Sequence, residues 1–224
     1  MPTLTAPNLE CHDWLTHGFG QRDSTYPEHI LILRQVHSCA ILDAAGEGDG
    51  VVSAEPGRLI GVRTADCVPI LLADKRTQSV AAIHAGWRGT AGQIVGAALW
   101  RMGEKFGTRP EDVSAAVGPS IGGCCYEVSP EVAHQFGTWV PKLKHVDRPI
   151  RIDLKAINRC QLQEAGVRDV WVSTDCTYCL PAYFSFRREK EQAGRMVSFI
   201  GRRQEMKRAD HVKARPCGGL VERG

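Results

Sequence analysis

Cys67 and His84 flank two apolar runs that read as the strands of one hairpin. Val68-Pro69-Ile70-Leu71-Leu72-Ala73 and Val80-Ala81-Ala82-Ile83 are separated by the polar break Asp74-Lys75-Arg76-Thr77-Gln78. Thiolate and imidazole are the ligands that zinc and copper prefer. A turn centred on Lys75-Arg76 sets Cys67 opposite His84, and facing residues on antiparallel strands have Cβ atoms roughly 4.5–5.5 Å apart. Two side chains at that spacing can share one metal ion. The break has neither the Gly nor the Asn of a two-residue hairpin turn, so a longer loop is expected. A one-residue slip would then send the pair to opposite faces of the sheet. Taken alone, the pair also reads as a small buried apolar residue and a satisfied core histidine. His37, at the end of a strand expected over Ile30–Val36, is a further candidate ligand, with a structural or exposed role as its alternative.

After His84 the chain runs Ala85-Gly86-Trp87-Arg88-Gly89-Thr90, then an i+4 stripe of Ile94, Ala98, Met102 and Phe106. A strand thus feeds a Gly-rich turn that opens a helix. Free N–H groups at such a turn attract anions, and Arg88 adds charge. It is not a P-loop, because no Lys-Ser/Thr pair follows the last Gly. The competing explanation is a tight turn that needs Gly for its backbone freedom.

The elements that must position these residues can be read in outline. Both hairpin runs are apolar on both faces, which places them mid-sheet. Further strands are expected at Val51–Ser53 after the Asp49-Gly50 turn, and at Leu59–Arg63, Val113–Val117, Val170–Val172 and Arg195–Ile200. The Gly-rich stretch Gly118–Glu127 reads as a loop. Ser129-Pro130-Glu131 starts one helix, and Asp153 caps another that has Leu154 and Ile157 inward and ends near Gly166. Residues 1–28 are expected to be a short irregular segment and 202–224 a solvated basic tail. Strands outnumber helices and the two are mixed. The expected fold is α+β, a single-domain α/β sandwich of mixed sheets flanked by helices over residues 1–224.

The composition, 43% hydrophobic and 24% charged, is that of a globular domain. A net charge of +3 gives no case for nucleic acid, whose binders carry a dense basic stripe. No apolar stretch reaches the length of a membrane span. MPTLTAPNLE lacks the basic start and apolar core of a signal peptide, so the nine cysteines are expected as free thiols in a reducing cytoplasm. Cys176-Thr177-Tyr178-Cys179 has CxxC spacing, but no second CxxC completes a four-thiolate zinc site. A structural thiol pair is expected, with a redox pair as the alternative. Cys124 and Cys125 read as structural.

Six motifs then occur in a fixed order: QVHS at 35–38, RTADCVPILL at 63–72, AIHAGWRGT at 82–90, VGPSIGGCCYEV at 117–128, DLKAINRCQL at 153–162 and FSFRREKEQAGRMVSFI at 184–200. Together they resemble the YfiH family, also called the multicopper polyphenol oxidoreductase or laccase-domain family, over about residues 35–201. The resemblance implies an α/β sandwich with a surface metal site at His37, Cys67 and His84, holding zinc, with copper as the alternative. It also implies phosphorolysis of purine nucleosides (adenosine, inosine, guanosine, methylthioadenosine) with accompanying adenosine deamination. Nucleoside and phosphate are then the expected partners, with no nucleic acid and no membrane; the oligomeric state is left open. At the front the chain departs from the pattern. Arg22–Glu28 stands where the family carries a longer segment, so one wall of the site is expected to be missing or rebuilt.

Three protein ligands leave one zinc position open, as in catalytic sites. Zinc lowers the pKa of bound water to about 7, which suits attack on C6 of adenine. Phosphorolysis needs an anion site and a way to stabilise the leaving base. Gly86, Arg88 and Gly89 offer the first, with Arg63 and Arg187 as further anion contacts or as surface ion pairs. The metal, Asp66 or Glu127 could supply the second. Asp66 could instead orient a ligand, and Glu127 could hold the Gly-rich loop. Other functions carried forward are a copper polyphenol oxidase, a peptidoglycan-precursor editing hydrolase, a cysteine hydrolase using Cys67 and His84, and a non-catalytic metal-binding protein. The oxidase is weakened by eight histidines without one His-x-His pair.

Overall fold

The computed structural model describes residues 3–139 and 150–204. In chain order its elements are α1 (Pro7–Glu10), β1 (Leu15–Phe19), β2 (Leu31–Ile32), β3 (Ile41–Leu42), β4 (Gly50–Ser53), β5 (Leu59–Thr64), β6 (Val68–Asp74) and β7 (Val80–Ala85). They continue with α2 (Trp87–Ala91), α3 (Ile94–Phe106), β8 (Val113–Val117), β9 (Glu127–Val128), α4 (Pro130–His134) and β10 (Ile150–Arg151). The last are α5 (Leu154–Glu164), β11 (Asp169–Val172), α6 (Phe186–Glu189) and β12 (Met196–Arg202). A six-stranded mixed sheet has the order β11-β8-β6-β7-β4-β3, a four-stranded one β1-β12-β5-β2, and β9 pairs with β10. The expected sandwich of mixed sheets and helices is the observed fold.

Alternation along the central hairpin explains its all-apolar sequence. Val68, Ile70, Leu72, Ala81, Ile83 and Ala85 pack with Ile94, Ala98 and Met102 of α3 and Leu154, Ile157 and Leu162 of α5. Leu71, Ala73, Val80 and Ala82 point the other way, onto Leu15, Phe19, Ile60, Val62 and Ile200 of the four-stranded sheet. The six-stranded sheet is therefore a middle layer, covered on both faces. Burying one Leu or Ile contributes roughly 1.5–3 kcal/mol. The cost of a hairpin loop without Gly is small beside that of turning such a strand inside out.

The loop is longer than two residues, as expected. Asp74 N–H donates to the Ser79 carbonyl (2.9 Å) and Gln78 N–H to the Asp74 carbonyl (2.9 Å). Asp74 Oδ1 accepts from the amides of Arg76 (2.7 Å) and Thr77 (3.1 Å), and Gln78 takes the left-handed conformation at φ 53°. A carboxylate that folds the turn over itself does the work of a glycine. The resulting register sets His84 opposite Pro69, not Cys67. This corrects the expected pairing by two residues. Because strand side chains alternate, a shift of two keeps Cys67 and His84 on one face, where a shift of one would have separated them.

Residues 3–28 are not irregular throughout. α1 buries Leu9, and β1 pairs with β12 from Leu15↔Arg202 to Phe19↔Ser198. Residues 202 and 203 belong to the fold as well: Arg202 ends β12, and Arg203 N–H donates to the Trp14 carbonyl at 2.8 Å. The remainder of the expected basic tail, 205–224, lies outside the described residues. The strand expected over Ile30–Val36 is reduced to Leu31–Ile32 beside β5, because the chain must leave the sheet to carry His37 to the cavity. Among the described residues no helix is long and apolar enough to cross a membrane.

Candidate metal centre and its cavity

Cys67 precedes β6 and His84 lies near the end of β7, so both stand at one rim of the middle sheet. His37 reaches them from the loop after β2. One donor atom from each of the three lies within 4.8 Å of the others. The His37 and His84 rings meet edge-on, with centroids 4.9 Å apart and planes at 80°.

Asp49, fully buried, organises the group from behind. Its carboxylate accepts the backbone N–H of Val36 (3.2 Å), His37 (3.0 Å) and Ser38 (2.6 Å) and the Ser38 hydroxyl (2.8 Å). These bonds hold His37 in its left-handed conformation, φ 59°. Asp49 Oδ1 also lies 2.8 Å from His84 Nδ1. That partner fixes the imidazole with Nδ1 as the donor and leaves Nε2 available as a ligand. Gly86 matters because a Cβ there would sit 3.1 Å from Cys67 Sγ and 3.2 Å from His37 Cδ2. Any side chain would press on two of the three donors.

Electrostatics favour a deprotonated sulfur. Burial pushes the Cys67 thiol up, but hydrogen bonds from His37 and His84 outweigh it and bring it down to about 6. Burial opposes a charge on His84, yet Asp49 and the Cys67 sulfur raise it to about 9. Asp49 is driven well below the usual carboxylate range: burial resists, and the bonds from His84 and Ser38 win. Two imidazoles and a thiolate, backed by a buried carboxylate, form a donor set that suits zinc or copper.

The centre opens into a cavity of about 570 Å³. Trp87, Tyr126 and Phe186 line it, and five arginines, Arg34, Arg63, Arg88, Arg187 and Arg195, reach it against one acid, Asp66. Arg88 lies over the Trp87 ring at 4.4 Å and Arg187 over Tyr126 at 5.3 Å. Among the described residues, neither the Arg63 nor the Arg88 guanidinium has a hydrogen-bond acceptor. Arg63 is held by its backbone instead, exchanging N–H and C=O bonds with the Gln35 amide at 2.7 and 2.8 Å. Burial, with the Cys67 charge close by, pushes the Tyr126 phenol up to about 12, so it stays a neutral donor.

The family whose model matches residues 19–203 is described as multi-copper polyphenol oxidoreductase laccase. The chain belongs to this family. It is 43% identical over 178 residues to the purine nucleoside phosphorylase of Deinococcus radiodurans, covering 75% of this chain and 68% of that one. It is 37% identical over 200 residues to adenosine deaminase RL5 of an unknown prokaryotic organism, covering 79% and 76%. The crystal structure of YlmD from Geobacillus stearothermophilus superposes with a TM-score of 0.80 at 29% identity, covering 91% of this chain and 97% of that one.

The matched span holds every candidate site residue, but they do not all meet. His37, Cys67 and His84 converge, and Arg63, Asp66, Arg88 and Arg187 line the same cavity. Gly86 and Gly89 act through backbone: Gly86 caps α2, and Gly89 is buried inside it. The expected turn is thus itself a short helix. Glu127 is exposed on β9 and lies outside the cavity wall; its carbonyl, not its carboxylate, accepts Arg187 Nη1 at 3.0 Å. Asp66 uses both oxygens, one on the Thr177 hydroxyl (2.6 Å) and one on Arg187 N–H (2.8 Å). Asp49, Trp87 and Tyr126 were not singled out as site residues from sequence. For Asp49 the only signal was an Asp-Gly pair, which reads as a turn.

The front segment that begins at Arg22 has a part in the site. Arg22 Nη2 bonds Glu189 at 2.5 Å and the Tyr183 carbonyl at 3.2 Å, and its guanidinium lies 4.2 Å from the Phe184 ring centroid. It therefore braces the segment that brings Phe186 and Arg187 to the cavity.

Proposed function

We propose that the protein is a metal-dependent purine nucleoside phosphorylase that acts on adenosine, inosine, guanosine or methylthioadenosine, with adenosine deamination as a second activity. The observation that carries this reading is one cavity joining a His-Cys-His donor set to three aromatic side chains and five arginines. Aromatic faces suit a purine, and guanidinium groups suit phosphate as bidentate donors. The names of the relatives from Deinococcus radiodurans and of adenosine deaminase RL5 support the same two reactions.

In phosphorolysis a phosphate oxygen bonds to C1′ as the bond from C1′ to the purine nitrogen breaks. The products are ribose 1-phosphate (5-methylthioribose 1-phosphate from methylthioadenosine) and a purine that takes up a proton. Arg88 and Arg63, whose guanidinium groups have no acceptor among the described residues, are assigned to phosphate, with Arg187 lining the same cavity. Asp66 is a positioning residue: it accepts the Arg187 amide and so holds that wall. His37, Cys67 and His84 would hold zinc, with copper as the alternative. A cation there supplies Lewis acidity at the floor of the cavity.

Chromatography of nucleosides incubated with the metal-loaded protein, with and without phosphate, tests the reading. Free purine and ribose 1-phosphate should appear only with phosphate, and inosine from adenosine in either condition. Purine release that ignores phosphate would make the enzyme a hydrolase. No turnover of any nucleoside by fully loaded protein would remove the reading.

A further inference from the structure

A second group of metal-ligating side chains lies away from the His-Cys-His centre. Cys124 and Cys125, on the Gly-rich loop after β8, meet Cys176 and Cys179, on the loop after β11. All four sulfurs lie within 4.8 Å of one another. Cys125 Sγ is 3.3 Å and Cys124 Sγ 3.9 Å from Cys179 Sγ, and all four thiols are free. A disulfide would need about 2.05 Å. A tetrahedral zinc with Zn–S of about 2.3 Å spaces its sulfurs about 3.8 Å apart. The separations here bracket that edge.

The surroundings fit a negatively charged centre. Gly122 N–H donates to Cys176 Sγ at 3.2 Å. Thr177 N–H bonds the Ser120 carbonyl (3.0 Å) and Leu180 N–H the Cys176 carbonyl (3.0 Å), folding the CxxC segment into a compact turn against the other loop. Lys155, only 5% exposed on α5, is fastened to the carbonyls of Ser173 (2.8 Å) and Asp175 (2.7 Å). Its ammonium is close enough to Cys176 and Cys124 to act on both electrostatically. Four thiolates on one divalent cation leave a net charge of about −2, which a buried ammonium and backbone N–H groups offset.

The geometry points to a closed, four-thiolate zinc site made by Cys124, Cys125, Cys176 and Cys179, which clamps two loops of the active-site wall. Zinc binding here displaces the protons of the thiols, with no change of oxidation state. The clamped loops reach the cavity directly. Tyr126 follows Cys125 and lines it. Thr177, inside the CxxC segment, donates to Asp66, and Arg188 Nη1 bonds the carbonyls of Thr177 (2.8 Å) and Tyr178 (2.7 Å). The site works through these contacts, as a positioning device.

Zinc-edge X-ray absorption on Cys67→Ala protein isolated without added oxidant or reductant tests this, because that variant lacks the sulfur of the other centre. We expect one zinc per chain with four sulfurs at about 2.3 Å and no nitrogen. Adding Cys176→Ser should remove that equivalent. If the double variant does not fold, the spectrum of Cys67→Ala decides alone. Absence of zinc from Cys67→Ala, a shell containing nitrogen, or a mass short by two hydrogens that marks a disulfide would each overturn the proposal.

Discussion

The His37–Cys67–His84 centre and the four-cysteine cluster use the same soft-ligand chemistry on different supports. In the first, two donors stand at the rim of the middle sheet, and a buried carboxylate fixes one imidazole and the loop of another. Three donors would leave a bound cation open on one side to the cavity, where arginines and aromatic rings gather. In the second, every donor is sulfur, all four come from loops, and together they would complete a tetrahedral shell. Open shells suit catalysis and closed ones suit structure. The comparison teaches that position follows from role. The open centre rests on strand ends whose packing is set by the core, and the closed one supplies order to loops that lack a core of their own.

The largest expected effect comes from Cys67→Ala. It should abolish nucleoside turnover and remove the cavity metal, while the four-sulfur zinc stays. The melting temperature should match that of wild type stripped of its cavity metal. A much lower melting point would mark Cys67 as a packing residue, since large-to-small changes in a core cost about 2–5 kcal/mol.

Asp49→Asn should come next. Loss of a group that orients a metal ligand costs about 10–100-fold in metal affinity or activity. Competition with a chelator of known affinity measures it at the cavity centre, and the four-cysteine site should not respond. An equal loss at both would mean that Asp49 supports the fold at large.

Arg88→Ala should raise the apparent KM for phosphate by about ten- to a hundredfold, the equivalent of a charge-assisted hydrogen bond worth roughly 1.5–3 kcal/mol. Adenosine deamination should change less. Initial rates against phosphate concentration, at equal metal occupancy, decide it. Unchanged phosphate dependence would leave Arg88 as a partner of Trp87 only.

The smallest effect is a control for acid sensitivity without metal. His17 Nε2 accepts the Ala6 N–H at 3.0 Å, and burial lowers its pKa below the ordinary 6.5. The unfolded chain then binds more protons than the folded one as pH falls through 6.5. Stability from this group is complete above that value and is lost toward the lowered folded one. Metal-free protein should therefore melt lower from pH 7 to pH 5, and His17→Gln should reduce that slope by its own share, since the Cys67 thiolate loses its contribution near pH 6 as well. Loaded protein should lose further stability in acid as the ligands of the metal centres protonate.

Much of the middle layer was legible because β6, β7 and β8 are buried on both faces and so carry largely apolar runs, interrupted in β8 by Ser114 alone. Val113–Val117 matches to the residue, and Asp153 caps its helix as expected, accepting from Ala156 N–H at 3.1 Å. The start of the chain was not legible: α1 has four residues, and β1 is held by a strand nearly the whole length of the chain away. Local pattern carries no sign of such a partner.

The hairpin, the helix stripe, the Cys and His at the strand ends and the family could all be read along the chain. Those follow from side-chain period and from motifs in order, which are local properties. Packing of the fold set the register in which Asp74 closes the expected loop, and so put Cys67 and His84 on one face. It alone decided that Asp49 joins His37 to His84 and that Glu127 stays outside the cavity. It also brought Cys124 and Cys125 to Cys176 and Cys179 across some fifty residues. Convergence of that kind is settled by how sheets and loops pack, and no spacing along the chain records it.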